Sequence, residues 1–289
     1  MLLDLGHEVG GSFDVGSKQR RKIPGVTDRE WSMDDFEIVL LHQVPEYCSV
    51  MEDLLKKGKR VILSSFGQAD TWQYEACGRI CRDFDHAWVT PYSIKDASAH
   101  VQHGAPEEKV RMIRFGKYLT DYEPWTGGSG VIYSSCNSIH KRGHGCGWHL
   151  MEGAMKDLPI SLSGKETQEV GGMGEIAEER MRELYRSSDA FLSFGTAPAA
   201  VVLTQIEAWC SGCPTAIFDN GHGISGEGMR GIVSNRYEVL LEECRRLIAD
   251  PEYRQSRHRD SLANAAQFDI KSVGPKWDDL IREVMSKPC

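Results

Sequence analysis

Apolar and polar positions along this chain follow two alternating periods. Short apolar runs of strand length occur at 36–41, 60–66, 131–135, 158–163 and 190–194, each bounded by glycine, proline or polar residues. Between and after them, stretches at 46–57, 70–84, 171–187, 201–210, 237–249, 252–268 and 272–285 carry apolar residues at helical spacing. This alternation predicts repeated β-α-β units, hence parallel sheets with right-handed crossovers. The clearest unit begins with the apolar run Ala190–Phe194 and a Gly-Thr-Ala-Pro break. A helix follows with Leu203, Ile206 and Cys210 on one face; Gly212 stops it and Pro214 opens the next strand. The opening MLLDLGHEV reads as the last turn of a helix, a stop at Gly6 and a strand from about His7 to Phe13.

The run Thr126-Gly-Gly-Ser-Gly130 has the composition of a flexible linker and divides the chain into domains at 1–126 and 127–289. With 289 residues and 40% hydrophobic content, two cores of ordinary size are expected. The net charge of -8 argues against a general polyanion binder. No apolar stretch is long enough for stable membrane insertion, and no signal segment is evident. The nine cysteines, an odd number scattered through predicted strands and helices, point to reduced thiols in a cytoplasmic protein.

Against this background a few residues stand out. Glu207 lies inside an otherwise apolar helix, where a carboxylate is costly unless it faces solvent, pairs with a neighbour or accepts donors from a ligand. The basic run Lys18, Arg20, Arg21 and Lys22 is either a solvated loop or a contact for phosphate or nucleic acid. His42 and the loop 64–70 fall at predicted strand ends, where open α/β sheets bind ligands, so His42, Gln68 and Asp70 are the candidates for catalytic work. For His42, a satisfied strand-end histidine is the alternative. Trp72, with Tyr74, Arg79 and Arg82, suits sugar or base stacking, or a helix packed into the core. His140, His144, Cys146 and His149 are of metal-ligating type without a recognised zinc spacing, and Asp83-Phe84-Asp85 sits at a helix end. No metal is expected.

The segment LTQIEAWCSGCPTAIFDN resembles the donor-site segment of GT-B glycosyltransferases, particularly the family-4 retaining enzymes, whose pattern runs Pro-Leu-Glu-Ala-Met-Ala-x-Gly-x-Pro-Val-Val-Ala. Leu203, Glu207, Ala208, Gly212, Pro214, Thr215 and Ala216 stand at matching positions. Upstream, Pro91–His103, Gly104–Val110 and Gly116–Pro124 are similar to the family's Ser-x-x-x-x-x-x-Leu helix, Gly-x-Pro-x-x-Lys-Val turn and Gly-Val-Asp-x-x-x-Phe-x-Pro crossover.

The resemblance implies an α/β protein of GT-B type. Two Rossmann-like parallel-sheet domains would face each other across a cleft, the N-terminal one on the acceptor side and abbreviated, without its usual first strand and glycine-rich loop. The last helix would cross back to the first domain. It further implies that Glu207 holds the ribose hydroxyls of a nucleotide sugar, while the backbone around Thr196, Val202, Leu203 and Thr204 faces the diphosphate. The Arg142-Gly143 pair, with Lys141 beside it, matches the family's cationic loop. Three positions depart from the pattern: Asn137 replaces an arginine, Ala199 an acidic residue near the sugar, and Phe66 a histidine.

The function so implied is transfer of a sugar from a UDP- or GDP-sugar to a hydroxyl acceptor, with retention and with neither metal nor cofactor. Trp72 and the basic run would then contact the acceptor. A small sugar, a lipid-linked glycan, a protein side chain or a hydroxymethylpyrimidine base in DNA fits this reading. A non-catalytic nucleotide-sugar binder is the other class, and a sugar-nucleotide epimerase a third. The sequence fixes no oligomeric state.

Overall fold

The computed structural model describes residues 36–42, 47–65, 67, 70–195, 202–221, 224 and 227–288. These form two compact units: the described residues up to Gly116 together with those from Lys271, and Lys117–Ile270. The predicted strand at 7–13 and the basic run at 18–22 lie outside the described residues.

The first unit contains β1 (Ile38–His42), α1 (Tyr47–Lys56), β2 (Arg60–Ser65), α2 (Thr71–Asp83), β3 (Ala87–Pro91), α3 (Ile94–Gln102) and, from the chain's end, α10 (Ile270–Met285). Its strands pair in parallel in the order β1-β2-β3. Successive side chains of a strand leave opposite faces, so each strand feeds two cores. Val61, Leu63, Ala87 and Val89 meet Met51, Leu55, Cys77 and Ile80 of α1 and α2. Ile62 and Trp88 face the other way and meet Val273, Trp277, Leu280 and Val284 of α10. The same helix end is capped by Arg60, which donates to the carbonyls of Val284 (3.1 Å) and Lys287 (2.9 Å).

The second unit contains β4 (Ile132–Ser135), α4 (Ile139–Arg142), α5 (Trp148–Asp157), β5 (Ile160–Ser163), α6 (Glu178–Ser187), β6 (Ala190–Ser193), α7 (Leu203–Cys210), β7 (Thr215–Phe218), β8 (Ile232–Ser234), α8 (Tyr237–Ala249) and α9 (Pro251–Ala265). Its sheet is parallel throughout, in the order β5-β4-β6-β7-β8. On one face Ile132, Ala190 and Leu192 pack with Met151, Ala154, Leu240 and Cys244 from α5 and α8. On the other, Tyr133 and Phe191 pack with Leu184, Tyr185 and Ala208 from α6 and α7. Helix α5 is not announced by the sequence pattern, because only Met151 and Ala154 among its residues are fully buried.

The division between units falls at Lys117, upstream of the glycine-rich stretch. Lys117 N donates to Phe268 O (2.7 Å) and Ile270 N donates to Lys117 O (2.9 Å), which binds the two ends of the second unit to each other. Residues 126–130, expected to be a flexible linker, are instead held down. Thr126 N and Gly127 N donate to Arg186 O, while Gly128 N and Gly130 N donate to the buried carboxylate of Asp189. Small residues that promise flexibility in the sequence also leave amides open to an acceptor, and here the acceptor is present. No described helix is long and apolar enough to cross a membrane.

Candidate functional site

In the second unit the chain runs from β4 outward to β5, then returns to the other side of β4 to form β6. Strand order therefore reverses between β4 and β6, and a parallel sheet opens a ligand crevice at the carboxyl ends of strands at such a point. The two segments leaving those ends are the loop after β4, with Asn137 to Gly147, and the lead into α7. They come into direct contact. A Cβ placed on Gly147, whose φ is 69°, would lie 2.5 Å from the Cβ of Phe194, the residue following β6, so only glycine lets them pack this closely.

Helix α7 starts at this point. Val202 is its N-cap, and the first intrahelical bond runs from Gln205 N to Val202 O at 3.1 Å, which leaves the amides of Leu203 and Thr204 ahead of it without intrahelical acceptors. Leu203 is 48% exposed, and both Thr204 Oγ1 and Gln205 Nε2 are buried without a hydrogen-bond partner among the described residues. Thr196 and Ala199 lie outside the described residues.

Glu207 sits in the second turn of α7, at 18% exposure of its side chain. Its Oε1 accepts from Lys117 Nζ at 2.9 Å and its Oε2 from Tyr185 Oη at 3.5 Å. Tyr122 stands close by: burial, and then the charge of Glu207, push its phenol well above the usual range. The carboxylate thus points neither to bulk water nor into an apolar core. Each oxygen already faces a donor, the arrangement a vicinal diol would also satisfy. Lys117 is absent from the expected site residues. Its signal in the sequence is a lysine where the crossover pattern Gly-Val-Asp carries an apolar residue.

Among the loop cations the structure separates two roles. Lys141 Nζ lies 3.1 Å from both Glu166 and Glu169, and His140 Nε2 lies 3.1 Å from Glu169, so these side chains hold the neighbouring loop. Arg142, the last residue of α4, is exposed and makes no ion pair among the described residues. Gly143 follows it at φ 54° with open space beside it. Asn137 Oδ1 accepts from Lys165 N at 2.8 Å, so the residue standing where a cation was expected pins a turn. Cys146 belongs to the core, and the rings of His144 and His149 are 4.2 Å apart. Among the described residues no three His, Cys, Asp or Glu side chains converge to hold a metal ion. Asp83 pairs with Arg79 at 3.9 Å and Asp85 with Lys109 at 3.5 Å.

In the first unit, His42 is exposed at the end of β1, in register with Ser64. Asp70 is the N-cap of α2 and forms a capping box with Gln73, whose side chain accepts from Asp70 N at 2.9 Å; its place is structural. Trp72, one residue into the helix, is 57% exposed and therefore not part of the core. Phe66 and Gln68 lie outside the described residues, like Lys18, Arg20, Arg21 and Lys22. Sequence reasoning missed a buried polar cluster at the ends of β2 and β3. Ser65 Oγ meets His100 Nε2 at 3.0 Å, Ser64 Oγ meets Tyr92 Oη at 2.5 Å, and Tyr74 Oη donates to Asp96 Oδ1 at 2.7 Å. Burial drives the His100 pKa down to about 3.

No protein-family model matches the chain, and no curated protein matches it. Solved structures do. HepE from Anabaena, in complex with UDP and glucose, is similar with a TM-score of 0.70 at 13% identity, covering 86% of this chain and 78% of that one. Sucrose-phosphate synthase from Thermosynechococcus elongatus is similar with a TM-score of 0.70 at 15% identity, covering 87% of this chain and 74% of that one. A glycosyltransferase from Rickettsia africae ESF-5 gives 0.66 at 12% identity, covering 88% and 78%. At such identities the likeness is one of fold, and together with the two parallel-sheet α/β units it shows that this protein is built on the GT-B fold.

Proposed function

We propose that the protein is a glycosyltransferase that moves a sugar from a UDP- or GDP-sugar to a hydroxyl acceptor, with retention and without a metal ion. The observation that carries this reading is Glu207: a carboxylate on the helix that starts at the sheet's switch point, with each of its oxygens facing a donor. Such a group grips a ribose diol by accepting from both hydroxyls. The free amides of Leu203 and Thr204, at the positive end of α7, suit the donor diphosphate, and Arg142 adds an uncommitted charge from the facing loop. As the bond from sugar to phosphate breaks, negative charge grows on the leaving diphosphate. Donors fixed beforehand stabilise that charge more than they stabilise the ground state.

A second reading, a non-catalytic binder of nucleotide sugars, is favoured by Asn137, whose side chain is spent on Lys165 N, and by Ala199 where an acidic residue was expected. The acceptor would bind to the first unit, with exposed Trp72 and His42 as its contacts. A small sugar, a lipid-linked glycan or a protein side chain fits. A hydroxylated DNA base is favoured by the run Lys18 to Lys22, and titration with duplex DNA at several salt concentrations tests it through the steep loss of affinity that phosphate contacts impose. We place the protein in the cytoplasm, in keeping with the free thiols of its described cysteines.

The deciding experiment incubates the protein with a panel of UDP- and GDP-sugars and follows release of nucleoside diphosphate. Turnover supports the enzyme; binding without turnover supports the second reading. Neither binding nor turnover ends both.

A further inference from the structure

A ribose diol needs both oxygens of Glu207, yet one of them holds Lys117 Nζ at 2.9 Å. A ribose hydroxyl arriving at that oxygen therefore meets an ammonium already seated on it and competes with it for the carboxylate. The backbone of Lys117 cannot move away, since its N–H and C=O are both engaged, with Phe268 O at 2.7 Å and Ile270 N at 2.9 Å. Its four-carbon stem can swing instead, which displaces the charge without disturbing the chain.

The incoming ligand carries a diphosphate, and the expected cations beside it are depleted. Position 137 is asparagine and bound to Lys165 N, while Lys141 is neutralised by Glu166 and Glu169. Arg142 alone stands uncommitted among the described residues of that loop. The protein thus lacks a phosphate cation at one place and frees a cation on binding at another.

We propose that Lys117 is a donor-binding residue: paired with Glu207 as seen here, it passes to the diphosphate when the ribose hydroxyls take over the carboxylate. This rests on the reading of Glu207 as the ribose ligand. Each charge keeps a partner through the exchange, Glu207 passing from ammonium to diol and Lys117 from carboxylate to phosphate. A lysine that only competed with the ribose would behave differently, because its removal would then help every nucleoside equally.

The test compares ligands with and without phosphates. Uridine and UDP, and in parallel guanosine and GDP, are titrated calorimetrically into the native chain, Lys117→Met and Lys117→Arg. The quantity read is the preference for diphosphate over nucleoside. In Lys117→Met it should fall roughly tenfold or more, the size expected for loss of one charged hydrogen bond, while Lys117→Arg retains most of it. An unchanged preference in Lys117→Met, with the native chain binding both ligands, overturns the inference and leaves Glu207's role standing. A native chain that binds none of the four ligands overturns the donor assignment and this inference together. If Lys117→Met does not fold, Lys117→Gln reads the same comparison, since Glu207 remains partly solvated without its partner.

Discussion

Asp189 and Arg254 form an ion pair of 3.2 Å in which the carboxylate is 1% exposed and the guanidinium side chain 12%. The same carboxylate accepts the amides of Gly128 and Gly130, and Arg254 donates onward to the carbonyls of Leu247 and Ile248 at the end of α8. One buried acid thereby fastens the glycine-rich stretch to the start of β6 and to the α8–α9 corner. Substituting Asp189→Ala leaves two amides without their acceptor and a mostly buried guanidinium without its counter-charge. Urea unfolding should show a loss of about 3–5 kcal/mol, the range for breaking a buried pair from one side. A loss within about 0.5 kcal/mol, as for an ordinary surface change, would contradict the anchoring role.

Gly147→Ala places a methyl group 2.5 Å from Phe194 Cβ, in a backbone conformation with φ 69°. Overpacking of about 1–3 kcal/mol added to the left-handed backbone cost of about 1–2 kcal/mol should give a loss of about 2–5 kcal/mol. Gly171→Ala, with φ 85° and open space around it, is the control that carries only the backbone cost of about 1–2 kcal/mol. Because Gly147 joins the two loops at the switch point, nucleotide affinity should fall in Gly147→Ala and hold in Gly171→Ala.

His100 gives stability a defined pH dependence. Its folded pKa is depressed to about 3, through burial first and the charge of His103 second, against an ordinary value of 6.5. Between those values the unfolded chain takes up a proton that the folded chain refuses. Stability from this site is therefore complete above pH 6.5 and drains away as the pH falls towards 3, by up to about 1.4 kcal/mol per pH unit. Denaturant midpoints of the native chain should decline over this window. His100→Leu should flatten the decline, and an equally steep slope in the variant would assign it to other groups.

Glu207→Ala removes the acceptor for the ribose hydroxyls. Calorimetry with UDP and GDP should show affinity reduced by about 2 kcal/mol or more, within the range for hydrogen bonds to a charged group. Glu207→Gln, which keeps one acceptor oxygen and the packing of α7, should fall between. Unchanged affinity in Glu207→Ala would remove the donor assignment.

Much of the architecture is written locally in the chain. The apolar runs at 60–66 and 190–194 became β2 and β6, and Gly212 and Pro214 mark the end of α7 and the entry to β7, because strand alternation, helix stops and turn chemistry act over a few residues. Glu207 could be singled out on the same ground, as a charge in an apolar helix inside a recognisable spacing. Its setting could not. Lys117 lies far from it in sequence and reaches it through the pairing of Lys117 with Phe268 and Ile270, a contact that exists only once the ends of the second unit meet. Likewise the glycines at 126–130 read as slack until a buried Asp189 supplies their acceptor, and nothing local shows that Asp70, a candidate for catalytic work, also caps α2. The sequence by itself determined most of the elements, α5 excepted, and the acid on α7. Tertiary structure alone decided which charges were spent on holding loops and which stayed free for a ligand, because a charge's availability depends on neighbours that only folding brings within reach.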